Sequence, residues 1–140
     1  MRVTVYEAGA RPLAKVAITG GGRCNFTNTF EHVGRLEEVY PRGAQVMRRA
    51  LRVFSNEDVR EWFRREGVSS VAQPDGCVFP RSQDAMQIVR TLERLMRQLG
   101  VELICGRRIG SVSELDEDIV VVTAGGNSAT TLRTLLPEDV

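Results

Sequence analysis

The sequence predicts an α/β fold, a mostly parallel sheet with flanking helices, and three observations carry that prediction. Val3–Tyr6, Val101–Cys105 and Ile119–Thr123 are short apolar, β-branched runs with few polar interruptions, the pattern of strands buried on both faces. Three longer stretches between the first two repeat apolar residues at helical spacing. Strands alternating with helices build a parallel sheet covered by those helices. At 140 residues the chain has one ordinary domain's worth of polymer, which excludes two large domains.

Val3–Tyr6 ends at Glu7-Ala8-Gly9 and reads as a short buried strand. Pro12–Ile18 reads as an irregular connector. Thr19-Gly20-Gly21-Gly22-Arg23-Cys24-Asn25 reads as a loop, because adjacent glycines admit positive φ and a close approach of ligand to backbone. Asn25, Thr27, Asn28 and Thr29 prolong that polar stretch. In Ala44–Phe54, Val46, Met47, Ala50, Leu51 and Phe54 make the apolar face of an amphipathic helix. Ser55-Asn56-Glu57-Asp58 supplies the N-cap and acidic first turn of a second helix, with Val59, Trp62 and Phe63 inward and Gly67 as its stop. Val68–Ala72 and Cys77–Phe79 flank Pro74-Asp75-Gly76 as a hairpin. Ser82 opens a third helix, Gln83–Leu99, with Met86, Val89, Leu92, Leu95, Met96 and Leu99 as its buried stripe and Gly100 as its end. Val101–Cys105, Ile109–Val112 and Ile119–Thr123 are read as strands, the last closed by Ala124-Gly125-Gly126, and a short helix is expected over Leu132–Leu136.

Lys+Arg 19 against Asp+Glu 18 leaves a net charge of +1, so no global field draws the chain to nucleic acid or anionic lipid. No apolar window approaches the roughly 18 residues of a membrane span, and the N-terminus lacks a secretory pattern, so the expected address is the cytoplasm. Cys24, Cys77 and Cys105 are odd in number and form no C-x-x-C pair, which fits reduced thiols and no metal site.

An acidic residue ending an early strand is where a dinucleotide-binding fold accepts hydrogen bonds from a ribose, and Glu7 has that place. Taken alone, a solvated strand-end residue is the commoner reading. The 19–25 loop exposes backbone N–H groups that can face an anion, with Arg23 as a charge-assisted donor, although a triple glycine by itself is more often a tight turn. It is no P-loop, since no lysine follows the glycines. Cys24 beside Arg23 is expected to have a lowered pKa, but His32 is the only histidine and a Cys–His nucleophile is not expected. Arg48, Arg49, Arg52, Arg60, Arg64 and Arg65 could form a phosphate-binding stripe; the interleaved Glu57, Asp58, Glu61 and Glu66 favour surface ion pairs instead. Trp62 and Phe63 are read as core, and no catalytic acid or base stands out.

The run from Lys15 through Thr19-Gly20-Gly21-Gly22-Arg23-Cys24-Asn25-Phe26-Thr27-Asn28 closely resembles the K-x-x-I-T-G-G-G-R-C-N-x-T-N signature of bacterial FAD-binding flavoproteins, the NAD(P)/FAD-dependent oxidoreductases that include aminoacetone oxidases. The similarity continues through Tyr40-Pro41-Arg42-Gly43, Phe54–Asp58, Cys77-Val78-Phe79-Pro80 and Leu99-Gly100-Val101, covering most of residues 2 to about 112. It implies a Rossmann-like FAD/NAD(P)-binding domain in which Glu7 binds the FAD ribose. Lys15, Thr19, Gly20, Gly21, Gly22, Arg23, Cys24, Asn25 and Thr27 would line the pyrophosphate and flavin. Ile109 would lie in the strand whose backbone meets the adenine, and Ala124 and Gly125 in a later turn near the cofactor.

Only six residues precede Glu7, and no G-x-G-x-x-G turn is present. The chain is therefore expected to be a fragment: a single partial FAD-binding domain over 1–140, with the second strand and TGGGRCN loop in 1–30, a helical region with the hairpin in 44–99, and further strands with the AGG turn in 101–126. The resemblance implies part of a flavin-dependent oxidoreductase, with NAD(P)H or a small molecule as partner of the complete protein; the alternative is a cofactor-free remnant or interaction module. Without the phosphate turn the chain is expected to lose FAD during purification. In the dinucleotide strand order 3-2-1-4, Val3–Tyr6 and Ile119–Thr123 would be the second and fourth strands, and edges left open between them would invite self-association.

Overall fold

In chain order the elements are β1 (Thr4–Glu7), α1 (Ala14–Gly22), β2 (Thr27–Asn28), α2 (Leu36–Val39), α3 (Ala44–Val53), α4 (Asn56–Arg65), β3 (Ser70–Ala72), β4 (Cys77–Pro80), α5 (Ala85–Gln98) and β5 (Glu102–Cys105), then a 3₁₀ turn at Val112–Glu114. The computed structural model describes residues 1–125. Gly126 and the helix expected over Leu132–Leu136 lie outside the described residues. The chain divides into two units, Met1–Pro12 with the residues from Gly100 onward, and Leu13–Leu99.

In the first unit β1 and β5 pair in parallel, with Thr4 opposite Glu102 and Glu7 opposite Cys105. A parallel pair needs a long crossover, and residues 8–101 with their helices supply it. The α/β reading and the parallel pairing of the first strand hold. With one hydrogen-bonded neighbour among the described residues, β1 is only partly covered, Val5 remaining 37% exposed, which corrects the expectation of a buried strand.

Two expected strands are absent. After β5 the chain turns at Gly106, and Ser111 then caps the 3₁₀ turn reciprocally with Glu114, so local side-chain bonds displace the strand expected at Ile109–Val112. Ile119–Thr123 has no strand partner among the described residues, and Ile119 and Val121 are about three-quarters exposed, at 76% and 75%. β-Propensity without a neighbouring strand does not hold an extended ladder.

The second unit contains a three-stranded antiparallel sheet in the order β2-β4-β3. The predicted hairpin is β3–β4, with Val71 opposite Phe79. β2 joins it through Thr27 opposite Val78 and Asn28 opposite Cys77, which turns part of the expected polar loop into an edge strand. Cys24, Phe63, Val68, Ala85 and Ile88 form the core, and Val16, Phe26, Val59 and Leu92 pack on it. α1 and α5 lie against each other.

Helix α4 begins as predicted: Ser55 and Asp58 close a reciprocal capping box. α5 starts slightly later than expected, at an Asp84 cap whose carboxylate accepts from the Met86 N–H at 2.9 Å. Its inward face is also rotated. Ala85, Ile88, Val89 and Thr91 are buried, whereas Met86 and Leu99, assigned inward from spacing, are 38% and 77% exposed. Trp62 likewise stays 38% exposed, edge-on to the buried Phe63. The connector expected at Pro12–Ile18 is instead the first turn and a half of α1, because Ala14, Val16 and Ala17 are compatible with helix and Val16 has a core to meet.

Candidate functional site

The glycine run is the place where α1 stops being helical. Thr19 takes extended backbone (ψ 149°), and Gly20, Gly21 and Gly22 follow with φ of 58°, 68° and 83°. The Cys24 N–H closes the turn on the Thr19 carbonyl at 2.9 Å. Gly20 and Gly21 are required for different reasons. A Cβ on Gly20 would fall 2.9 Å from both the Asn25 nitrogen and the Phe79 ring, so packing demands glycine there. A Cβ on Gly21 would meet nothing within 4 Å, so only the left-handed backbone demands it, and that side of the turn is open.

Arg23 does not extend from the turn as a spare donor. Its guanidinium lies over the Phe79 ring, its Nε donates to the Gly20 carbonyl at 3.2 Å, and Nη1 reaches Gln83 at 3.4 Å. Asn25 accepts the Val78 N–H at 3.3 Å and ties the end of the loop to β4. Cys24 is 3% exposed, and burial pushes its thiol pKa up. That reverses the lowered value expected from the neighbouring arginine, whose charge is directed at Phe79 and Gly20 instead.

Lys15 is exposed in the first turn of α1 and forms no ion pair among the described residues. Thr27 is half-buried in β2. Glu7, Ile109, Ala124 and Gly125 belong to the first unit. The Glu7 carboxylate accepts the Gly9 N–H through Oε1 at 2.6 Å, which fixes its orientation and leaves Oε2 without a partner among the described residues. The Glu7 carbonyl receives the Arg107 N–H at 3.1 Å. Ile109 is half-buried, and Ala124 and Gly125 are exposed.

One feature of the second unit was legible in the sequence only in part. Phe26, Phe30, Tyr40, Met47, Leu51 and Phe54 enclose an open cleft of about 350 Å³, whose polar edge includes Asn25, Thr27 and Asn28. Met47, Leu51 and Phe54 share the helical spacing read in Ala44–Phe54, whereas Phe26, Phe30 and Tyr40 come from other stretches that no periodicity joins to it. The remaining candidates behave as surface residues. His32 is exposed with Nε2 3.0 Å from the Pro74 carbonyl. Arg48 pairs with Glu37, Arg60 with Glu57, and Arg64 and Arg65 with Glu61, the ion-pair reading of the arginine helices. Among the described residues no cluster of metal ligands occurs, and no helix is long and apolar enough to cross a membrane.

A parallel β pair whose strands are joined through a helical crossover is the βαβ arrangement from which Rossmann-like α/β domains are built. A family model described as HI0933-like protein Rossmann domain matches residues 1–137, and the chain belongs to that family of FAD-binding flavoproteins. It is also similar to the 3-dehydro-bile acid delta(4,6)-reductase of Clostridium scindens, 28% identical over 122 residues. The match covers 87% of this chain and 29% of that protein, so the chain spans less than a third of the relative's length.

Proposed function

We propose that this chain supplies adenosine-ribose, pyrophosphate and flavin contacts in a flavin-dependent oxidoreductase. The observation that carries the reading is the open side of the Gly21–Gly22 turn, where a Cβ would meet nothing within 4 Å while the neighbouring Gly20 is locked by packing. A backbone held in that form lets a ligand approach its amides closely. Bound FAD would bring the hydride-transfer chemistry; the protein's part is binding and orientation.

Glu7 is set to accept ribose hydroxyl hydrogens through the oxygen that Gly9 does not use. Lys15 offers a positive charge to phosphate, and Thr19, Gly20, Gly21, Gly22, Cys24, Asn25 and Thr27 carry the turn and its continuation. Arg23 acts by holding the turn rather than by touching the ligand. Ile109, Ala124 and Gly125 are assigned to the cofactor on resemblance alone. No residue is assigned as a catalytic acid or base, and the substrate, NAD(P)H or another small molecule, belongs to the activity of a longer relative. A cytoplasmic address is proposed on the cysteine pattern of the sequence, Cys24, Cys77 and Cys105 being odd in number and without a C-x-x-C pair.

A cofactor-free module is the second reading, and the occupation of Arg23 by Phe79 and Gly20 favours it. Titrating the chain with excess FAD and following the flavin spectrum separates the two. The expected result is a saturable change that Gly21→Val weakens at least tenfold and Arg48→Ala leaves intact. Gly67→Val, with φ of +85° and equally open space, controls for backbone strain alone. Equal binding in all variants removes the turn from the site, and no binding by the parent chain supports the second reading.

A further inference from the structure

We propose that the outer face of α3 is a docking surface for an acidic amphipathic helix of another protein chain. The inference rests on an apolar stripe and the arginines beside it, and it holds whether or not the chain binds flavin.

At about 100° per residue, the apolar side chains of α3 span close to half of its circumference. Only one side of that arc is covered. Ala44 is buried, Met47 and Leu51 are half-buried at the cleft, and Phe54 marks the border. Further round, Val46 and Val53 are 70% and 86% exposed, and Ala50 between them is exposed as well. These three form one stripe at i, i+4 and i+7, about 10 Å long, and none of them lines the cleft beside β2. A single exposed valine needs no explanation, but a stripe continuous over two turns is a surface suited to being covered.

Charge decides what covers it. Arg49 lies within about 60° of both valines around the helix, and Arg52 follows one turn further along the same flank. Both are exposed, and neither forms an ion pair among the described residues, unlike Arg48, which Glu37 neutralises. α3 itself contains no acidic residue. A second α3 laid against the first would bring these arginines together, so like charge opposes a second copy of the chain. A lipid surface calls for bulky side chains such as Trp, Phe or Leu, and the stripe offers valine and alanine. Small side chains instead let another helix approach closely. The complementary occupant is a helix with apolar residues at i, i+4 and i+7 for the stripe and carboxylates along the edge that meets Arg49 and Arg52.

The probe is a synthetic helical peptide with leucines at i, i+4 and i+7 and glutamates along one flank, and its counterpart carries lysine in place of each glutamate. In methyl ¹³C–¹H spectra of the 140-residue chain, the glutamate peptide is expected to shift the Val46 and Val53 signals saturably and to bind at least tenfold more tightly than the lysine peptide. Arg49→Glu should weaken it at least tenfold, whereas Arg97→Glu, the same charge change at an exposed position of α5, should leave it intact. Val53→Ser should weaken binding at least tenfold with little change in melting, because so exposed a side chain holds nothing in the fold, and it provides a second test if Arg49→Glu unfolds. No saturable shift, equal affinity for the two peptides, undiminished binding in Arg49→Glu or Val53→Ser, or an equal loss in Arg97→Glu would each overturn the proposal. So would shifts of the same methyls that follow protein concentration alone, which would place a second copy on the stripe. Co-sedimentation with phosphatidylglycerol vesicles that Val53→Ser abolishes would overturn it too, by placing a lipid surface there.

Discussion

The guanidinium carbon of Arg23 sits 4.2 Å from the centre of the Phe79 ring, and the ring is almost wholly buried. The same ring closes on Gly20, where a Cβ would meet it at 2.9 Å. The arginine of the signature is thus coupled to a strand of the antiparallel sheet and clamps the glycine turn from outside.

Removing the clamp should therefore show first as lost stability. Arg23→Ala gives up a half-buried cation–π contact and a charge-assisted hydrogen bond, an expected cost of about 1–3 kcal/mol in urea unfolding. Gly20→Ala should cost at least as much, because it adds a steric overlap to a positive φ. Gly21→Ala has only the backbone strain, about 1 kcal/mol. A Gly21→Ala protein less stable than Gly20→Ala would contradict this account of the turn.

The rotated face of α5 predicts a sharp contrast between neighbours. Ile88 is 2% exposed within the core, and Ile88→Ala should destabilise by about 2–5 kcal/mol. Met86→Ala, at a position 38% exposed, should cost less than about 1 kcal/mol. Comparable midpoints in chemical denaturation would restore the face predicted from spacing.

Acid should weaken the ion pairs on the surface of α4. Hydrogen bonds from Arg64, then Arg65, lower the Glu61 pKa from 4.5 to about 2. The folded state therefore binds fewer protons at Glu61 than the unfolded chain does between these values. Its stabilising contribution is present above about pH 4.5 and is lost as pH falls towards 2. Glu37, Asp58 and Asp75 shift in the same direction, led by hydrogen bonds from Arg48, Ser55 and Cys77 respectively. The melting difference between the parent chain and Glu61→Gln should shrink from pH 7 to pH 3, and a difference that grows instead would refute the sign.

Thiol reactivity should follow burial. Cys24 is buried with its pKa raised, whereas Cys77 and Cys105 are half-buried. Brief iodoacetamide treatment of the native chain should label Cys77 and Cys105 ahead of Cys24, with all three labelled in denaturant. Peptide mass spectrometry showing Cys24 labelled first would restore the activated thiol expected from its arginine neighbour.

These contrasts mark where the sequence was legible. α3, α4 and the β3–β4 hairpin announce themselves through local signals: an apolar stripe, a Ser55–Asp58 cap, and a turn at Pro74-Asp75-Gly76. β2 does not, since two residues carry no period and Thr27–Asn28 becomes a strand only because β4 lies alongside. The expected strands at Ile109–Val112 and Ile119–Thr123 failed for the complementary reason, as composition cannot report whether a partner is present. Within the candidate site, the turn was readable from three glycines. The use of Arg23 was not, because Phe79 lies 56 residues further along the chain.

The uncovered run Ile119–Val121 has a consequence for colloidal behaviour. A β-branched segment without a strand partner among the described residues is a template for pairing between molecules. Asp116 and Asp118, both exposed, flank its start and should act as gatekeepers against stacking of identical segments, whereas Glu117 between them is turned to the Tyr6 hydroxyl. The resulting protection depends on ionic conditions: high salt or mild acid should raise light scattering before the fold itself melts, and charge-neutralising changes at Asp116 and Asp118 should do so at neutral pH.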